Sequence, residues 1–86
     1  MTTLIQPLTK KEKIALVIGR FHYRNWRSTQ VDRYADVYMV YLPSRREHCY
    51  FIAFTSDDKI KVLPEETTEG YNEAKAIIKE ALNGRN

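Results

Sequence analysis

The sequence predicts an α+β fold in which an N-terminal helix, a three-stranded antiparallel meander and a C-terminal helix follow one another. Three observations support this prediction: a helix-start motif before an apolar stripe near the N-terminus, three strand-like segments separated by polar turns in the middle of the chain, and an amphipathic run near its end. Both helices are expected on one face of the sheet. At 86 residues the chain is expected to form one domain, spanning residues 1–86.

The first helix is predicted over residues 10–22. Thr9 and Glu12 have the spacing of a capping box, in which each side chain accepts a hydrogen bond from the other residue's backbone N–H. Apolar residues then recur at helical spacing, namely Ile14, Val17, Ile18 and Phe21. Because this stretch is rich in β-branched residues and Gly19 weakens a helix, a buried strand is the alternative. The capping signal favours the helix.

Three strands are predicted between Tyr34 and Pro64. The first strand lies in RYADVYMVYLP, where Val37, Met39 and Tyr41 alternate with Asp36, Tyr38 and Val40 until Pro43 ends the strand. The second strand is CYFIAFT, which follows the polar turn PSRREH. The third strand is KIKVL, which follows the tight turn SDDK and has Ile60 and Val62 on one face. The short connections favour antiparallel pairing. Cys49 is expected to be a buried packing residue.

The two faces of the first two predicted strands are both apolar or aromatic. If the helices cover one face, the other is covered by a partner or by residues before position 34. Tyr38 and Tyr50 are expected on an exposed, tyrosine-rich face. They are therefore the candidate interface for a protein partner, which includes a second copy of the chain.

The C-terminal helix is the clearest element. The segment TTEGYNEAKAIIKEALNG begins with Thr67 or Thr68 as a cap and ends with the helix-stop pair Asn83-Gly84. One apolar face is predicted from Ala74, Ile77, Ile78, Ala81 and Leu82. The acidic residues just before and at its start, Glu65, Glu66 and Glu69, suit the positive end of the helix dipole.

Composition and charge narrow the function classes. The single cysteine excludes an internal disulfide, which favours a reducing cytoplasm. The longest apolar run, Val37–Leu42, is far too short to cross a membrane, and the first residues lack the features of a signal peptide. We therefore expect a complete soluble cytoplasmic protein. Residues 1–56 contain nine Lys/Arg and four Asp/Glu, whereas residues 57–86 contain five Lys/Arg and seven Asp/Glu. The N-terminal part of the chain is therefore net basic and the C-terminal part net acidic.

The segment RFHYRNWRSTQVDRY, residues 20–34, holds four arginines and four aromatic rings with one acid. Guanidinium groups bind phosphates and rings stack on unpaired bases, so the segment predicts a DNA- or RNA-binding surface that includes the adjacent sheet. Its candidate residues are Arg20, Tyr23, Arg24, Trp26, Arg27, Arg33 and Tyr34, extended by Arg45 and Arg46 if the following turn lies nearby. The alternatives are a core anchored by Phe21 and Trp26, or a protein-binding surface.

No catalytic, cofactor or metal site is predicted. His48 and Cys49 are adjacent in a strand and should point to opposite faces, so they do not form a nucleophile–base pair. His22, His48 and Cys49 lack the spacing of a zinc site, and the three glycines are isolated. The sequence therefore predicts a small non-catalytic nucleic-acid-binding protein. The alternative is an interaction module, a homodimer or an inhibitor of a larger protein, of the kind that phages and plasmids encode, that uses the tyrosine face or the acidic C-terminal half.

Overall fold

The structure is a computed structural model that describes residues 8–32, 34 and 36–83. Its elements, in chain order, are α1 (Lys10–Tyr23), β1 (Arg27–Asp32), β2 (Val37–Leu42), β3 (Arg45–Phe54), β4 (Ile60–Leu63) and α2 (Glu69–Asn83). The α+β class and the order of helix, strands and helix are confirmed. The expectation of three strands is wrong, because the sheet has four, in the order β1-β2-β3-β4 with every pair antiparallel.

The additional strand, β1, lies within residues 20–34, the segment that predicts a nucleic-acid-binding surface and for which no strand was expected. It pairs with β2 from Arg27 opposite Tyr41 to Asp32 opposite Val37, with a bulge after Gln30. Of its six residues only Ser28 is partly buried. An edge strand that buries so little needs no alternation of apolar and polar residues, so its sequence, RSTQVD, carries no strand pattern.

Helix α1 begins where the capping box predicts. The backbone N–H of Thr9 donates to Glu12 Oε1 over 2.8 Å, and the N–H of Glu12 donates to Thr9 Oγ1 over 3.1 Å. Val17 and Phe21 are fully buried. The helix predicted over residues 10–22 is therefore confirmed, and the strand alternative is wrong.

Both helices lie on one face of the sheet, as predicted. In β3 the side chains of His48, Tyr50, Ile52 and Phe54 are buried on this face, whereas those between them are not. The core is completed by residues of the other elements, namely Val17, Phe21, Trp26, Val40, Val62, Ala74, Ile77, Ile78 and Ala81. The predicted apolar face of α2 is therefore the face that packs on the sheet.

Thr68 caps α2, since its Oγ1 accepts a hydrogen bond from the backbone N–H of Tyr71 over 3.2 Å. The helix includes Asn83, and Gly84, the second residue of the predicted stop signal, lies outside the described residues. No helix in the described part of the chain is long and apolar enough to cross a membrane.

Candidate functional site

Two arginines of the basic segment are engaged by one carboxylate of α2. Arg24 Nε donates to Glu80 Oε1 over 3.2 Å, and Arg24 Nη2 donates to Glu80 Oε2. Arg20 Nη1 lies 3.5 Å from the same carboxylate. The hydrogen bond from Arg24 lowers the pKa of Glu80 below its ordinary value, and the same bond raises the pKa of Arg24. These guanidiniums hold α1 against α2, so part of their charge is already neutralised.

The other candidate arginines differ in their pairing. Arg45 Nη1 lies 3.5 Å from Glu69 Oε1 at the start of α2. Arg27 and Arg46 are exposed and make no ion pair within the described residues. Arg33 lies outside the described residues.

The hairpin after β2 does lie close to Arg27, as the extended patch requires. A cleft of about 460 Å³ at the end of α1 is lined by Arg27 together with Pro43 and Ser44 of the hairpin. Its other lining residues are His22, Asn25 and Trp26. Arg27 and the hairpin therefore share one end of the molecule.

The aromatic rings of the basic segment are divided between core and surface. Trp26 is 2% exposed and packs edge-to-face on Phe21, with ring centroids 5.2 Å apart. It is therefore a core anchor, and no base can stack on it in this conformation. Tyr23 is exposed, with the Arg20 guanidinium 5.1 Å from its ring centroid, and Tyr34 is exposed in the connection between β1 and β2.

The expectation that Tyr38 and Tyr50 occupy an exposed sheet face is wrong. Tyr50 is 1% exposed beneath α2, where its hydroxyl lies 2.9 Å from Thr68 Oγ1, and burial raises the pKa of its phenol. Tyr38 is half-buried against Phe54, edge-to-face at 5.9 Å. Both rings point to the helix side, because they pair with neighbours that also face the helices.

The opposite face of the sheet is covered by no element of the described chain. Three rows of paired residues cross this open face. The first row is Arg27, Tyr41 and Cys49; the middle row is Thr29, Met39, Phe51 and Leu63; the third row is Asp32, Val37, Ala53 and Lys61. Phe51 and Leu63 are 39% and 42% exposed. The open face therefore has an apolar centre with charged residues at three corners.

The sequence contains a signal for which face of the sheet is buried. Ile60 and Val62 are predicted to lie on one face of their strand. The tight turn before them pairs Ile60 with Phe54 and Val62 with Ile52, so these four side chains share a face. Extending this parity along β3 places Tyr50 in the core and Phe51 on the open face.

Cys49 is exposed on the open face, so the expectation that it is buried is wrong. Its neighbour His48 is buried on the helix side, and the two side chains point to opposite faces as predicted. His22 Nε2 lies 2.8 Å from Ser28 Oγ, but no carboxylate of the described residues hydrogen-bonds to the His22 ring. Within the described ranges no three His, Cys, Asp or Glu side chains are grouped to hold a metal ion.

No protein-family model matches the sequence, and neither a curated protein nor a solved structure matches the chain.

Proposed function

We propose that the chain is a non-catalytic protein-interaction module that binds through the open face of its sheet. The observation that supports this proposal is the continuous apolar centre of that face. Met39 and Phe51 lie directly opposite each other in the middle row, with Tyr41 diagonal to Phe51 and Leu63 paired beyond it. An uncovered apolar patch with charges at its margin is typical of a surface that binds another protein.

The charge distribution favours a protein over a polyanion as the partner. The three paired rows of the open face carry two cations, Arg27 and Lys61, and one carboxylate, Asp32. Arg20 and Arg24 are paired with Glu80, and Arg45 lies beside Glu69. Protein interfaces combine aromatic residues, methionine and arginine around an apolar centre, which is the composition of this face.

A selection with defined probes tests the proposal. A phage-displayed library of random peptides is selected on the wild-type protein, and the recovered peptides are measured on Phe51→Glu and on Ala76→Glu. Phe51 is partly exposed on the open face and Ala76 is exposed on α2, so both variants should fold. We expect apolar peptides whose binding is lost in Phe51→Glu and kept in Ala76→Glu. Peptides that bind all three proteins equally contradict the proposal.

A second candidate function is binding of single-stranded nucleic acid on the same face. The rings of Tyr41 and Phe51 lie on the two central strands, and Arg27 lies on β1 directly beside Tyr41. Rings on the open face of a sheet are a platform for unpaired bases, and stacking contributes about 1–3 kcal/mol per base.

Fluorescence anisotropy of labelled single-stranded oligonucleotides, DNA and RNA, tests this second candidate. Binding through the platform should weaken steeply with salt and should be lost in Tyr41→Ala and in Phe51→Ala. Ala76→Glu is again the control. Absence of binding at low salt removes the candidate and leaves the protein-interaction proposal in place.

A further inference from the structure

We propose that the partner of the open face is a second copy of this chain, packed face to face about a two-fold axis that runs parallel to the strands between β2 and β3. The inference rests on the proposed function, because it uses the same surface. It adds the identity of the partner and the orientation in which it packs. Two antiparallel sheets that pack in this way form an aligned sandwich, with strand directions about 30° apart.

The two-fold axis places each row of the open face over the same row of the second copy, in reverse order. In the middle row Met39 then lies over Phe51 of the second copy, and Phe51 over its Met39. In the first row the large ring of Tyr41 lies over the small side chain of Cys49. Large side chains therefore meet smaller or flexible ones, which allows the two layers to interdigitate.

The charges at the edges of the sheet complement each other under the same symmetry. In the third row, Asp32 at one end and Lys61 at the other are separated by Val37 and Ala53. Reversing the row places Asp32 over Lys61 of the second copy, and the symmetry makes this pair twice. Asp32 Oδ1 also accepts a hydrogen bond from the backbone N–H of Tyr34 over 2.9 Å, which fixes the carboxylate at the end of β1.

A two-fold axis perpendicular to the strands is the competing arrangement. It would place Arg27 over Asp32 of the second copy, but it would also stack Phe51 on Phe51 and Met39 on Met39. Lys61 would then have no Asp32 opposite it. Each axis pairs Asp32 with one cation, so the charges do not separate the two arrangements. The parallel axis is favoured because it places Met39 against Phe51 and Tyr41 against the smaller Cys49.

The size of the open face sets the expected affinity. Four strands about 4.8 Å apart and about five residues long, at about 3.3 Å each, give a face of roughly 300–400 Å² per copy. Stable interfaces bury about 800 Å² per partner, so this dimer should be weak and should dissociate on dilution. We expect a dissociation constant in the micromolar range or above.

Sedimentation velocity from about 10 µM to about 1 mM protein, at low salt, tests the proposal. We expect a reversible monomer–dimer equilibrium that Phe51→Glu abolishes and Ala76→Glu leaves unchanged. Lys61→Asp and Asp32→Lys should each weaken dimerisation about tenfold, and the double variant Asp32→Lys/Lys61→Asp should restore it, since Coulomb pairing of opposite charges is regained.

Three other results of these experiments would contradict the proposed dimer or its symmetry. A protein that stays monomeric at the highest concentration overturns the dimer, and the peptide selection then decides whether the open face binds a different protein. A dimer that persists in Phe51→Glu uses another surface and also overturns the proposal. If Phe51→Glu abolishes the dimer but the double charge reversal does not restore it, the parallel two-fold axis is wrong.

Discussion

The guanidinium of Arg24 forms a two-point ion pair with the carboxylate of Glu80, which joins the end of α1 to the last turns of α2. The same relationship recurs elsewhere, since Lys13 Nζ lies 2.6 Å from Asp58 Oδ1 and Arg45 lies beside Glu69. In each pair a cation from the first part of the chain meets a carboxylate from the last part. Part of the basic N-terminal charge and part of the acidic C-terminal charge seen in the sequence are therefore paired with each other in the fold.

The ion pair of Glu80 should make stability depend on pH in acid. The pKa of Glu80 is lowered in the folded state from an ordinary value of 4.5. Its stabilisation is therefore present above pH 4.5 and is lost as the pH falls through the folded-state pKa. We expect the free energy of unfolding to fall less steeply in acid for Glu80→Gln than for the wild type, as measured by urea unfolding at a series of pH values. The exposed Glu47→Gln is the control, and parallel pH curves for Glu80→Gln and wild type would contradict the prediction.

The capping box at the start of α1 should contribute measurably to stability. Thr9→Ala removes the oxygen that accepts from the N–H of Glu12, and loss of such a cap costs about 0.5–2 kcal/mol. Urea unfolding followed by circular dichroism measures the change. Thr9→Ser keeps the hydroxyl and should lose less than half as much. Equal losses in the two variants would show that the hydroxyl is not responsible.

The two helices could be predicted from the sequence because their signals are local. Thr9 and Glu12 are three residues apart, and the buried residues of α2 recur at helical spacing. Strand β1 could not be predicted in this way, since its partner Val37–Leu42 lies across a connection and its own residues are almost all exposed. Its existence depends on backbone hydrogen bonds to β2, which the side-chain pattern does not report.

The candidate site was harder to predict because it depends on which parity of the strands the helices cover. Tyr50 and Phe51 are both aromatic, and only the pairing of β3 with β4 decides that Tyr50 is buried. The ion pairs of Arg20 and Arg24 likewise depend on the packing of α1 against α2, which brings Glu80 into reach. The separation of these residues along the sequence indicates neither the buried side of β3 nor the ion pairs with Glu80.

Trp26 should behave as a core residue. It is 2% exposed, and replacing a buried tryptophan by alanine costs about 3–5 kcal/mol. Since a small domain is stabilised by only about 5–15 kcal/mol, Trp26→Ala should lose a large part of its stability and melt at a much lower temperature in circular dichroism. Trp26→Phe retains an aromatic ring against Phe21 and should lose less. A Trp26→Ala variant as stable as the wild type would contradict the buried position.

Gly70 is required by close packing at the start of α2. A Cβ at this position would lie 2.7 Å from Tyr50 Oη and 2.9 Å from His48 Nδ1, both of which belong to buried side chains. Gly70→Ala should therefore destabilise the fold by about 1–3 kcal/mol, although alanine favours a helix.

A double variant identifies the cause. Tyr50→Phe alone removes the hydroxyl that lies 2.9 Å from Thr68 Oγ1 and should cost about 1 kcal/mol. In Gly70→Ala/Tyr50→Phe the clash with Oη is absent, so the combined loss should be smaller than the sum of the two single losses. Additive losses in urea unfolding would show that Tyr50 does not limit the space at Gly70.

The reactivity of the Cys49 thiol measures how accessible the open face is to solvent. Its thiol is exposed in the folded protein, beside Tyr41 of the neighbouring strand. In dilute solution it should react with iodoacetamide at a rate close to that of the urea-unfolded chain, because no unfolding is needed to reach it. The rate should fall as protein concentration rises, since a second copy covers the same face. Phe51→Glu should remove this concentration dependence while leaving the dilute rate within about twofold. A thiol that reacts only as fast as the folded protein opens would show that the face is covered within the single chain.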